Sequence, residues 1–120
     1  MLNLNSLMLG SKNPKVLAEF YEKVIGKKAD MVEDGWWGWQ VGSCFFGVGQ
    51  HSKMDALTSE QGRVMYNFET SDVKAEFKRI KSLGTEVVKE PYEMGSLWIA
   101  TFADPDGNYF QLMSPWSEQK

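Results

Sequence analysis

The sequence predicts an α+β fold made of two βαβββ units, and three observations carry that reading. An apolar strand, a turn, an amphipathic helix and three short strand-like runs occur in that order twice. The glycines that close the two helices, Gly26 and Gly84, stand close to half the chain apart. Neither half can bury its apolar faces alone, so sheets that face each other within one domain are expected.

The elements follow in order. Leu2 to Leu9 is an apolar strand leading through Ser11, Asn13 and Pro14 into a helix whose Leu17, Phe20, Tyr21 and Val24 form one stripe. Asn13 is placed to cap this helix, and Pro14 suits its first turn. Strands are expected over Lys28 to Val32, Trp36 to Val41 and Cys44 to Gly49, with turns at Asp34-Gly35 and Gly42-Ser43. The polar stretch 51–61 is a linker between module 1, about 1–50, and module 2, about 62–116. In module 2, Arg63 to Glu69 is the first strand, and Ser71 or Asp72 caps a helix striped by Val73, Phe77, Ile80 and Leu83. Strands over Glu86 to Tyr92, Ser96 to Phe102 and Asn108 to Ser114 follow, the last two joined by the turn Asp104-Pro105-Asp106-Gly107-Asn108.

Composition narrows the function classes. A chain of 120 residues suffices for one core. Its one cysteine, Cys44, excludes an internal disulfide, and its first residues lack a secretory signal pattern, so a cytoplasmic location is expected. A net charge of −3 without a clustered basic patch argues against nucleic acid. No apolar run is long enough to span a membrane. Five tryptophans are a heavy aromatic load that must be packed or bound to something, and Trp36, Trp37 and Trp39 sit together.

Alternation sorts the strand faces. Leu7, Leu9, Val64, Tyr66, Phe68, Phe110 and Leu112 share an apolar parity suited to the helix side. The opposite parity, Ser6, Met8, Arg63, Met65, Asn67, Tyr109, Gln111 and Met113, is mixed, as a ligand cavity is.

With Phe20, Tyr21 and Gly26, the helix from Asp72 to Gly84, and the turn Asp104 to Asn108 before an aromatic strand, the chain resembles the glyoxalase, bleomycin-resistance and extradiol-dioxygenase superfamily, also called vicinal oxygen chelate. The resemblance covers almost the whole chain. It implies curved mixed sheets around a cavity, helices on the outer faces, and a homodimer. In the metalloenzymes of this superfamily four strand positions present His and Glu to a divalent ion. Carried over, they fall at Ser6 (or Asn5), at or beside Phe46, at Met65 and at Gln111. None is an imidazole or a carboxylate, and serine, methionine and carboxamide are weak donors to Zn, Ni, Mn or Fe(II). The resemblance therefore implies the fold without the metal centre.

Other chemistry-bearing residues have two readings each. His51, the only histidine, is a candidate acid or base beside a cavity or an exposed loop residue. Cys44 is a reactive thiol or a buried, inert one. Arg63 fixes a carboxylate or phosphate, or pairs with Glu60 or Glu69 at the surface. The tryptophans fill the core or a subunit contact, or line the cavity and stack on a flat ligand, with a cationic one favoured by ring quadrupoles.

The expected function is a metal-independent small-molecule-binding protein of resistance or sequestration type, without a cofactor, holding an aromatic or partly apolar ligand. Its expected cavity residues are Ser6, Met8, Trp37, Trp39, Phe46, Arg63, Met65, Trp98 and Gln111. The alternative is a divergent glyoxalase-like lyase, isomerase or dioxygenase with a site rebuilt around His51, Glu69 or Glu93. A structural dimer with a filled cavity is the third reading.

Overall fold

A computed structural model describes residues 2, 4–50, 61–62 and 64–115. The chain forms two compact units, Met1–Leu57 and Thr58–Lys120. Each holds one helix and one four-stranded sheet with a parallel outer pair.

In the first unit the elements are β1 (Ser6–Ser11), α1 (Pro14–Ile25), β2 (Met31–Glu33), β3 (Trp36–Val41) and β4 (Cys44–Gln50), with sheet order β1-β4-β3-β2. Strand β1 begins later than its apolar sequence suggests. Leu2 and Leu4 are 100% and 89% exposed, and ladder pairing starts at Ser6 opposite Phe45. Pro14 opens α1 as expected, but Asn13 makes no side-chain cap; instead the Ser11 Oγ accepts from the Asn13 N–H at 3.0 Å. At the other end Gly26 adopts φ 90, a left-handed conformation open to glycine without steric cost, and its N–H closes on the Glu22 carbonyl.

Helix α1 buries Leu17, Ala18, Tyr21 and Val24. They pack on the sheet face that carries Trp39, Phe46 and Val48, all nearly inaccessible, with the Tyr21 and Phe46 rings 4.8 Å apart edge-on. Full burial of each large side chain contributes roughly 1.5–3 kcal/mol, so this cluster accounts for much of the unit's cohesion.

The second unit repeats the plan with β5 (Tyr66–Glu69), α2 (Val73–Lys81), β6 (Glu86–Met94), β7 (Leu97–Ala103) and β8 (Tyr109–Met113), in sheet order β5-β8-β7-β6. Of the two expected caps, Asp72 is the one used: its Oδ1 accepts from the Ala75 N–H at 3.1 Å. Val73, Phe77 and Ile80 are buried against the sheet, while Leu83, expected in the same stripe, lies past the helix end and is 43% exposed. Val64 precedes β5 and is 62% exposed, so the helix-side parity starts at Tyr66. Rings of Phe77, Phe102 and Phe110 stack in sequence at 5.2 and 5.5 Å.

The β7–β8 turn is organised by one carboxylate. Asp104, 3% exposed, accepts from the backbone N–H of Asp106 and of Asn108, from the Asn108 side-chain amide and from the Tyr66 hydroxyl. A buried carboxylate is tolerated only with such a donor set.

Candidate functional site: the helix-free sheet faces

Each helix covers one face of its sheet, and register places the expected site residues on one side or the other. Residues paired across neighbouring strands share a face. In the first sheet Trp37 pairs with Val48 and Trp39 with Phe46, which puts all four on the α1 side. The expectation that Trp37, Trp39 and Phe46 share a cavity face with Ser6 and Met8 is thereby corrected. Trp39 and Phe46 are core residues, 1% and 3% exposed, and the Trp39 indole Nε1 donates to the Lys27 carbonyl at 2.9 Å.

The helix-free face of the first sheet carries Ser6, Met8, Trp36 and Phe45 instead. Met8 is 60% exposed, and the two rings are half-buried. These rings lie on glycines. A Cβ on Gly49 would overlap the Trp36 indole, and one on Gly38 would overlap the Phe45 ring. Between them a Cβ on Gly47 would meet Met8 Cγ at 3.5 Å and Trp36 Cε3 at 3.9 Å, ordinary contact distances. Two aromatic side chains are thus laid down on a glycine track with Met8 beside them. Sequence reading missed Trp36 and Phe45, although the signal was present in Gly38, Gly47 and Gly49, which alternate on two adjacent strands and leave room for a ring.

On the helix-free face of the second sheet, Gln111 pairs with Asn67 on one side and Thr101 on the other. The Gln111 Nε2 donates to the Thr101 Oγ1 at 3.0 Å, fixing the carboxamide. Met65, 47% exposed, lies just before β5. Trp98 departs from expectation: it shares the parity of Ala100 and Phe102 and lies on the α2 side, with Lys74 Nζ 4.1 Å from its ring centroid. Trp98 and Lys74 border a recess of about 230 Å3 with Ser71, Asp72, Val73 and Ser114.

Glu69 pairs with Met113 on the helix-free face, whereas Glu93 pairs with Trp98 on the helix face. The two carboxylates considered for a rebuilt catalytic site therefore lie on opposite sides of one sheet. His51 and Arg63 lie outside the described residues. Cys44, half-buried at the start of β4, directs its Sγ to the Phe45 carbonyl at 3.7 Å.

The four positions that would hold a divalent ion do not fit one. Phe46 faces α1, and its helix-free neighbours Phe45 and Gly47 offer no side-chain donor. Ser6, Met65 and Gln111 supply a hydroxyl, a thioether and a carboxamide, too weak to offset the hydration a metal ion sheds. Among the described residues no group of three or more His, Cys, Asp or Glu is placed to hold a metal. Among those same residues no helix is long and apolar enough to cross a membrane.

Comparison with known proteins agrees with this architecture. The family model described as a glyoxalase-like domain matches residues 6–113. A glyoxalase/bleomycin resistance protein/dioxygenase from Nocardioides is similar with a TM-score of 0.79 at 15% identity, covering 100% of this chain and 87% of that one. A glyoxalase/bleomycin resistance protein/dioxygenase family enzyme from Burkholderia phytofirmans PsJN gives 0.76 at 18% identity over 94% and 98%. A glyoxalase/bleomycin resistance protein from Albidiferax ferrireducens T118 gives 0.75 at 17% over 92% and 98%. Likeness at these identities shows the fold alone. No curated protein matches the sequence. From the span of the family match, and from two sheets that each set one helix against a parallel outer pair, the chain belongs to the glyoxalase-like domain family.

Proposed function

We propose that this chain is a metal-independent small-molecule-binding protein of resistance or sequestration type, which takes a flat, partly aromatic ligand on the helix-free face of its first sheet. The observation that carries the reading is the pair of rings, Trp36 and Phe45, lying on Gly49 and Gly38 with Met8 beside them. Large rings on a sheet face without a helix leave apolar surface in need of a partner, and planar rings stack on it favourably. Gly47 keeps the floor between them low. Weak donors at the inherited ligand positions support a role without metal chemistry, and the bleomycin-resistance names among the structural neighbours fit capture of an organic molecule.

Titration of tryptophan fluorescence with quinoline, N-methylquinolinium and acridine tests the reading. Saturable quenching is expected in the parent protein and at least tenfold weaker binding in Trp36→Leu. No saturable binding of any of the three would count against it.

A further inference from the structure

We infer that the ligand taken on the first sheet is a planar organic cation, with Glu33 as its counter-charge. The inference rests on the binding reading above and adds the charge of the ligand to it. Strand β2 places Glu33 directly opposite Trp36, whose other cross-strand partner is Gly49. Glu33, Trp36 and Gly49 therefore form one row across the helix-free face. Glu33 is the one charged side chain that the four described strands put on that face, and no basic residue accompanies it. Its carboxylate is exposed and engages in no ion pair among the described residues. Lys27, near the start of β2, is held by Asp30 at 3.0 Å.

The physical consequences add. An indole face attracts a cation through its quadrupole, and a carboxylate opposite it adds a Coulombic attraction that a neutral ring does not feel. An anionic ligand is repelled by Glu33 and finds no cation in the described strands of this sheet to offset it. At a partly exposed site each attraction is modest, so a preference of roughly tenfold for the cation over its neutral isostere is expected.

Quinoline and N-methylquinolinium differ by one methyl group and a charge, which makes them suitable probes for calorimetric titration at neutral pH. N-methylquinolinium should bind roughly tenfold tighter, and the preference should shrink as salt is raised. Glu33→Gln should weaken the cation severalfold and leave quinoline unchanged. Equal affinity of the two probes, or a preference that survives Glu33→Gln, would overturn the charge assignment while leaving the platform standing. Failure of both probes to bind would refute the platform and the charge assignment together.

Discussion

Trp36 lies on Gly49, its partner across the β3–β4 ladder, so closely that a single added carbon at Gly49 would overlap the indole. The glycine is there for the ring, and the ring's position on the helix-free face depends on it.

Gly49→Ala should therefore force Trp36 off the sheet. Overpacking of this kind costs about 1–3 kcal/mol, to be read as a lower urea midpoint, together with a red shift in tryptophan emission as the indole gains water. Gly47→Ala, whose new methyl would meet Met8 Cγ at 3.5 Å, should change stability little and weaken ligand binding by raising the floor. Comparable destabilisation by both would contradict the packing described.

The neighbouring tryptophans should separate by role. Trp39→Phe loses a part-buried hydrogen bond to the Lys27 carbonyl and part of a core ring, for a cost of about 2 kcal/mol with binding retained. Trp36→Leu should show the reverse, a small change in urea midpoint and a large loss of ligand affinity.

Asp104→Ala should be among the more damaging single changes in the second unit. It strips the acceptor from two backbone donors, the Asn108 amide and the Tyr66 hydroxyl, and stranded buried donors cost about 1–3 kcal/mol each before relaxation. A loss of about 3 kcal/mol in chemical denaturation is expected, with Asp104→Asn milder because one acceptor oxygen remains.

Asp30 gives a pH signature. The backbone N–H of Gln40 donates to its carboxylate and Lys27 pairs with it, which lowers its pKa below the ordinary 3.8. A depressed carboxylate stabilises the fold above the unfolded pKa, and that contribution is lost as pH falls from 3.8 through the lower folded value. The stability gap between the parent and Asp30→Asn should be constant near neutrality and close under acid, as urea midpoints measured on both sides would show. A gap independent of pH would contradict the assignment.

The fold was legible because its signals are local and repeated. β3 was read over the same residues the structure shows, since turn residues bracket it on both sides. β1 starts later than its apolar composition suggests because Leu2 and Leu4 have no partner in the ladder, which begins at Ser6. The site was less legible. Period-two alternation puts Trp37 and Trp39 on one face and Trp36 on the other, but alternation is silent on which face the helix covers. That is decided by Tyr21 against Phe46, a contact between distant parts of the unit. The side taken by Trp98 is hidden for the same reason: it is set by the parity Trp98 shares along β7 with Phe102, the ring under Phe77.

Assigned indole N–H resonances report where on the first sheet a ligand sits. With each tryptophan identified by single substitution, quinoline and N-methylquinolinium are titrated into labelled protein. The Trp36 signal should move saturably with at least one probe while the Trp39 signal, buried under α1, stays in place. Movement of Trp39 or Trp98 with Trp36 unmoved would show that the ligand does not sit on the helix-free face of the first sheet.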